Sequence, residues 1–237
     1  MINLSLIIPC YNEDKNIDPL FEKLEKLLDL DDKIEIIIVD NGSTDNTNVN
    51  ILKNDLYKKD KIKLILIEKN IGYGNGIMTG VKAALGNFIA WCHADLQTEP
   101  IDVYNAYNKN LNNLEKDKCV VKGLRKNRNA FDTIFTFGMS VLASIVFKMK
   151  INDINAQPKL FPKSFLKYIK EAPNDFSLDL YFLVIARINN YKIITHDVIM
   201  NKRIYGEAKG GGSLTGKIKL IKRTLSYMFK LKNTLWK

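Results

Sequence analysis

Cysteine is scarce in this chain: Cys10, Cys92 and Cys119 are the only three in 237 residues. They are odd in number, far apart and not in metal-ligand spacing, which excludes a disulfide-stapled scaffold and a cysteine metal knot. Two sit in apolar, strand-like runs, so buried reduced thiols in a cytoplasmic protein are expected. Long apolar runs are also missing. The longest uncharged stretch, residues 133–147, is shorter than the ~20 apolar residues needed to cross a bilayer, so no transmembrane helix is expected. Residues 1–9 have no basic start and are broken early, so no signal peptide is expected. A Walker A loop is absent, and Gly72, Gly74 and Gly76 do not make the dinucleotide fingerprint. These absences argue against a kinase and a conventional dehydrogenase. No internal repeat is present.

Arginine is missing from the first 100 residues, which carry 11 lysines against 16 acids. The remainder carries 25 basic and 10 acidic residues, giving the chain its formal net charge of +10. Residues 201–237 alone hold ten basic side chains against the single acid Glu207. A basic balance of this kind suits nucleic acid, a membrane surface or phosphorylated substrates. No nucleic-acid motif occurs and the aromatics do not interleave with the basic residues in a stacking pattern, so no nucleic-acid partner is expected.

What is present is an alternation of strand and helix patterns. Apolar or β-branched runs at residues 4–8, 34–39, 63–67 and 88–92 read as strands. The run at 34–39 has no polar face, as for a strand covered on both sides. Helical spacing occupies 17–30, 47–56 and 77–85. Beyond residue 100 the pattern predicts helices at 101–116, 131–149, 177–189 and 214–236, with strands at 119–123 and 192–196. Alternation predicts an α/β fold with a mostly parallel central sheet flanked by helices, whose ligands bind beyond the strands' carboxyl ends.

Polar clusters fall at those ends: Tyr11-Asn12-Glu13, Asp40-Asn41-Gly42-Ser43, Asn70-Ile71-Gly72 and His93-Ala94-Asp95-Leu96-Gln97. One such cluster is ordinary turn punctuation; four along one sheet edge describe a site. In an extended segment His93, Asp95 and Gln97 would share one face and suit Mg²⁺ or Mn²⁺, the histidine leaning toward Mn²⁺. The alternative for this segment is a strand-end turn, with Thr98 as the cap of the helix that opens at Pro100. Asp40 is either an acceptor for a base or ribose or an Asx-turn with Gly42 and Ser43. Gly72, Gly74 and Gly76 would let backbone approach a nucleotide. Arg125, Arg128, Arg203 and Lys209 are the candidate diphosphate binders, because arginine offers paired donors to phosphate oxygens.

The segments Pro9-Cys10-Tyr11-Asn12-Glu13, Val39-Asp40-Asn41-Gly42-Ser43-Thr44-Asp45, Asn70-Ile71-Gly72 and Ala94-Asp95-Leu96-Gln97 together resemble glycosyltransferase family 2. The resemblance covers most of residues 2–210 and implies the GT-A nucleotide-diphospho-sugar transferase fold. It is nearest to the dolichol- and polyprenyl-phosphate sugar transferases, through His93-Ala94-Asp95-Leu96-Gln97, which nearly reproduces that branch's D-A-D-L-Q box, Gly123-Leu124-Arg125 and Arg203…Gly206…Lys209. It implies that Pro9, Tyr11, Glu13 and Asp40 hold the donor's base and ribose. Asp95 and Gln97 would hold the metal, while Arg125 and Arg203 would meet diphosphate or acceptor phosphate. His93 stands where the family usually has Asp, and Asn41 where a second Asp is common. The segment 152–158 resembles the acceptor-side loop.

From these parts an inverting transfer is expected, in which an acceptor oxygen attacks the anomeric carbon as nucleoside diphosphate leaves, the ion and arginines neutralising the leaving group. A phosphate acceptor is already an anion. A hydroxyl acceptor on a surface polysaccharide or lipid-linked glycan needs a base, and Asp179 is the candidate, its other reading being a helix-face or capping carboxylate. The expected organisation is a catalytic domain over 1–210, with a nucleotide-binding half (1–100) and an acceptor half (101–210), then a basic amphipathic segment over 211–237. In that segment Leu214, Ile218, Ile221, Leu225, Met228 and Leu235 form one stripe among lysines. Such a helix, with the apolar helix 131–149, which is interfacial or else buried, predicts a peripheral enzyme on the cytoplasmic face of an anionic membrane.

Overall fold

The structure, a computed structural model, describes residues 1–127, 130–206 and 214–236. Its strands are β1 (Leu4–Cys10), β2 (Ile34–Asp40), β3 (Lys63–Leu66), β4 (Phe88–Trp91), β5 (Cys119–Lys126), β6 (Lys159–Pro162) and β7 (Lys192–Ile199). They form a seven-stranded sheet in the order β3-β2-β1-β4-β6-β5-β7. β1, β2, β3 and β4 pair in parallel, β6 runs antiparallel to both β4 and β5, and β7 is parallel to β5. Two reversals across β6 restore the direction, so every strand but β6 ends on the same edge.

The helices are α1 (Ile17–Leu28), α2 (Thr47–Lys53), α3 (Asp55–Lys58), α4 (Tyr73–Lys82), α5 (Pro100–Lys116), α6 (Ala130–Phe147), α7 (Leu178–Ile188) and α8 (Leu214–Leu235). Strand periodicity divides the core in two. Leu4, Leu6 and Ile8 of β1 face α1 and α5 with Ile36 and Ile38 of β2; Ile7, Ile37 and Val39 face the other layer, with α4, α6, α7 and α8. In that second layer Trp91 meets Phe161 and Phe182 edge-on, at ring separations of 5.7 and 5.1 Å. The all-apolar run of β2 is therefore buried on both faces, as its sequence predicts.

Several boundaries differ from the sequence expectation. β1 continues through Pro9, which pairs with Val39; β4 leaves the ladder at Ile7–Trp91, so the missing N–H deprives no neighbour there. The helix expected over 47–56 breaks at Asn54, an extended residue whose side chain accepts the Leu56 N–H and starts α3. α5 is capped by Glu99, not Thr98, with the Asp102 carboxylate accepting the Glu99 N–H at 2.8 Å. β5 and β7 each run three residues further than expected, through Lys126 and Ile199. β6 was not foreseen, because four residues holding a lysine and a proline carry little strand signal.

α8 also differs. Its Met228 and Leu231 are buried, with Leu225 and Leu235 packed beside them, while Ile218, Phe229 and Trp236 are exposed. The expected stripe thus turns largely inward against the core. The side chains of Leu214, Lys217 and Lys219 lie outside the described residues, as does the linker at 210–213. α6 buries Ala143 and Phe147 but exposes Ile134, Phe137, Val141, Leu142 and Ile145. Among the described residues no helix is long and apolar enough to cross a membrane.

Phe182 is fully buried and in ring contact with Trp91, Phe161 and Phe165. Phe182→Ala is expected to cost about 3–5 kcal/mol, read as a lowered urea midpoint at unchanged slope.

Candidate active site

The shared strand edge opens into a cleft of about 410 Å³. Pro9 and Tyr11 from the end of β1, His93, Asp95 and Gln97 after β4, Arg125 of β5 and Arg203 after β7 all line it. The geometry that gathers them is that of the sheet: the four strands they come from, β1, β4, β5 and β7, all point the same way. Glu13 and Gly72 line the cleft too. Glu13 Oε2 accepts from the Asn16 amide at 2.6 Å, and the Glu13 N–H donates to Thr47 Oγ1 at 2.8 Å, so the carboxylate and backbone are both fixed.

His93, Asp95 and Gln97 do converge, but not by extended alternation. The segment is a turn, with Leu96 in the left-handed region at φ 57°. Leu96 is buried in the core, and its backbone conformation turns the two polar neighbours toward the cleft. Asp95 Oδ1 accepts the Gln97 N–H at 3.1 Å. Arg203 Nη2 donates to Asp95 Oδ2 at 2.5 Å and to Gln97 Oε1 at 3.3 Å. The Asn201 N–H donates to the Gln97 carbonyl, so the segment after β7 is stitched to the turn after β4.

Asp40 is buried and its Oδ1 accepts the Ser43 N–H at 2.9 Å, the Asx-turn alternative; it is not among the cleft-lining side chains. Gly72, at φ 138°, sits so close to residues 174–175 that a Cβ would lie 2.2 Å from the Asn174 carbonyl oxygen. The corresponding position on Gly74 lies 2.1 Å from Pro173 O. These two glycines let α4 approach the chain before α7, rather than leaving the backbone open to a nucleotide alone.

Arg125 is clamped by Asp153: its N–H donates to Oδ2 at 2.9 Å, Nε to Oδ1 at 3.0 Å, and Nη2 forms the ion pair. Burial would raise the Asp153 carboxyl, but the hydrogen bonds and charge of Arg125 outweigh it and hold the group below its usual range. Lys122 Nζ supports the same loop from behind, donating to Asn152 O at 2.6 Å and Asp153 O at 2.8 Å. Arg128 and Lys209 lie outside the described residues.

Asp179 is neither a cap nor a solvated helix-face carboxylate. It is buried in the first turn of α7 and pairs with the fully buried Lys159 of β6 at 2.9 Å. Lys159 also donates to Ile154 O and Ala156 O, so its three donors are satisfied. Burial pushes the Lys159 ammonium below its usual value, and Asp179 opposes that shift. Gln157 Nε2 reaches Asp179 Oδ1 at 3.1 Å and Tyr73 Oη at 3.0 Å. Tyr73 Oη lies 3.0 Å from His93 Nε2 and 3.4 Å from Asp179 Oδ2. Burial, with the charge of Asp179 adding to it, holds the Tyr73 phenol well above its usual value. Phe176 stacks on Tyr73 at 4.8 Å, and Arg223 of α8 lies over Phe176 at 5.3 Å.

Tyr73, Gln157, Lys159 and Phe176 were not singled out from sequence. A signal existed for the two lysines. Lys122 follows Val120 on the same strand face and Lys159 precedes an apolar triplet, positions where alternation calls for core residues.

For a divalent ion, the donor set is two oxygens, Asp95 Oδ2 and Gln97 Oε1, that already converge on one cationic nitrogen of Arg203. Among the described residues no group of three or more carboxylate, imidazole or thiol ligands occurs. That pattern fits Mg²⁺ or Mn²⁺ carried by one carboxylate with substrate phosphate oxygens and water. His93 Nε2 is engaged with Tyr73, leaving Nδ1 as the ring nitrogen available to an ion.

A mostly parallel sheet with a crevice at its carboxyl edge, lined by a D-x-Q turn and two arginines, is a fold of the GT-A type. The model of glycosyl transferase family 2 matches residues 5–172, and the chain belongs to that family. It is 29% identical over 175 residues to a dodecaprenyl-phosphate galacturonate synthase of Rhizobium johnstonii, covering 71% of this chain and 50% of that protein. It is 29% identical over 178 residues to human dolichyl-phosphate beta-glucosyltransferase, covering 68% and 55%. The matched region thus spans about half the length of these curated relatives. A glucosyl-3-phosphoglycerate synthase from Mycobacterium tuberculosis, solved with Mn²⁺, uridine diphosphate and glucosyl-3-phosphoglycerate, shares the fold. Its TM-score is 0.69 at 16% identity, over 96% of this chain and 80% of that one.

Burial lowers the Lys122 ammonium from 10.5 to about 7, the charge of Lys159 adding to the effect and Asp153 opposing it. The unfolded chain therefore holds one more proton between those values, so stability rises with pH across the window and is lost as pH falls toward 7. Lys122→Met is expected to flatten this slope by about 1.4 kcal/mol per pH unit at most, measured by urea unfolding of both proteins across the window.

Proposed function

We propose that this protein transfers a sugar from a nucleotide-sugar donor to a polyprenyl phosphate at the surface of a membrane, with inversion at the anomeric carbon. The observation that carries this reading is the continuity of the cleft. Asn155 and Phe176 line both the cleft and a smaller groove of about 60 Å³, which Met139 of α6, Leu180 of α7 and Ile221 of α8 complete. Phosphate-binding arginines thus lie at one end of a path whose other end is an apolar seam between helices. α6, beside that seam, exposes Ile134, Phe137, Val141, Leu142 and Ile145, and α8 exposes Ile218, Phe229 and Trp236. Basic Lys222, Arg223 and Lys230 are exposed on α8 as well. An apolar surface rimmed by lysines suits peripheral attachment to anionic lipid on the cytoplasmic face. The names of the Rhizobium and human relatives, each a transferase of a polyprenyl-type phosphate, point the same way.

In this reading Pro9, Tyr11 and Glu13 orient the donor's base and ribose, Asp40 shapes the turn behind them, and Gly72 closes that wall. Asp95 and Gln97 hold Mg²⁺ or Mn²⁺, which when bound supplies positive charge to the departing diphosphate. Arg203 releases Asp95 and Gln97 and meets phosphate instead. Arg125, held rigid by Asp153, presents its remaining donors to the diphosphate or the acceptor phosphate. Arg128 and Lys209, which lie outside the described residues, remain the further candidates for binding phosphate. The acceptor phosphate is an anion at neutral pH and attacks without a base, which agrees with the engagement of Asp179 by Lys159, Gln157 and Tyr73. The second reading, a glycan hydroxyl acceptor, requires Asp179 to accept a proton.

The test is turnover of a nucleotide-sugar panel with Mn²⁺ or Mg²⁺, with and without a short polyprenyl phosphate. Polyprenyl-phosphate-dependent product is expected, falling by about 10²-fold or more in Asp95→Ala. Metal-independent turnover, or full activity of Asp95→Ala, overturns the metal role. Asp179→Asn, checked for folding, is expected to stay within about tenfold of wild type in turnover number. A loss of about 10²–10⁴-fold with donor binding intact favours the hydroxyl acceptor.

A further inference from the structure

A second cleft, of about 230 Å³, lies beside the loop that carries Asp153. Its floor is the sheet face where Lys122 of β5 stands opposite Thr195 of β7. α7 supplies one wall through Leu183 and Arg187, and the loop at 150–152 supplies the rim through Lys150 and Asn152. Three basic side chains therefore line the cleft, and among the described residues no carboxylate does.

Lys122 is fully buried and donates to two backbone carbonyls, which use two of its three donors, with the charges of Asp153 and Asp179 near it. The Arg187 Nε–H is buried with no hydrogen-bond partner among the described residues. No ion pair of Arg187 or Lys150 occurs among the described residues either. Buried polar groups are almost always satisfied, and a buried cation is retained where it meets an opposite charge. A buried guanidinium N–H and a buried lysine head group in the lining of one concavity, with neutral hydrogen-bonding groups beside them, suit a tetrahedral oxyanion.

We infer that this cleft is a phosphate-binding site separate from the catalytic one, taking a phosphate group borne by a small soluble molecule or by a lipid head group. Arg187 and Lys122 would contact the oxygens and Lys150 would close over them. The inference stands independently of the acceptor assigned above. It has a structural consequence: the loop that forms the rim is the one whose Asp153 clamps Arg125, and Lys122 holds that loop through the Asn152 and Asp153 carbonyls. An anion that draws on Lys122 thus acts on the support of a catalytic-cleft arginine, and any effect on donor affinity must be matched by an equal effect of donor on the anion.

The experiment follows the Arg187 Nε–H resonance in the full chain, arginine-labelled with ¹⁵N, during titration with inorganic phosphate at constant ionic strength. A saturable shift is expected, with affinity weakened by about tenfold in Lys150→Ala, a substitution at an exposed position. Lys170→Ala, also exposed but outside the cleft, is expected to leave the affinity unchanged. A parallel titration uses phosphatidylcholine vesicles with and without phosphatidic acid. Response to inorganic phosphate assigns a soluble source, and response only to phosphatidate-containing vesicles assigns a lipid head group. No saturable response in either arm, or equal affinity in Lys150→Ala and Lys170→Ala, overturns the site.

Discussion

The buried pair of Lys159 and Asp179 is the interaction on which the rest of the cleft hangs. Lys159 belongs to β6, the reversed strand that joins the two parallel parts of the sheet, and Asp179 to the first turn of α7. The lysine also collects two carbonyls from the loop at 154–156, and the aspartate collects Gln157 and Tyr73. Tyr73 in turn reaches His93, so one fully buried ion pair orients α4, α7, the acceptor-side loop and the turn after β4. Removing either partner would leave an unpaired charge in the core, a loss of several kcal/mol in comparable cases. Pairs of this kind add little net stability over apolar replacements, so its place here is argued from the geometry it imposes.

A second theme is the exchange of partners in the cleft. Arg125 is held by Asp153 and Arg203 by Asp95 with Gln97. Without substrate, the cleft answers its own charges with its own carboxylates. The two arginines differ in what that means. The Arg125 clamp involves backbone as well as side chain and leaves the guanidinium partly at the cleft wall, whereas Arg203 occupies the point where the two oxygens proposed for the metal meet. The charge asymmetry of the chain, acidic in front and basic behind, thus resolves into local pairs across the cleft, with the surplus of positive charge on α8 and in the cleft behind the loop.

Much of the sheet was readable from residue order. The β-branched run of β2 and the polar clusters after β1, β2 and β4 announce a parallel sheet with its site at one edge, because buried parallel strands must be apolar and their loops must carry the chemistry. β6 was not readable, since the charge of its buried lysine is balanced by Asp179, twenty residues away. The turn at Leu96 was misread for a related reason: local pattern predicted extended alternation, but burial of Leu96 in the core imposes a left-handed residue. The inward stripe of α8 depended on α6 and α7 being there to cover it.

Sequence by itself determined the family motifs, the strand–helix alternation and the class of residue at the sheet edge, all of which follow from short-range periodicity and composition. Tertiary structure decided the rest. It paired Asp179 with Lys159, moved Asp40 into a turn, set Arg203 on Asp95 and Gln97, and gathered Lys122, Lys150 and Arg187 around one cleft. Each of these is a contact between residues distant in the chain, and a buried charge takes its partner from whatever the packed elements bring within hydrogen-bond reach.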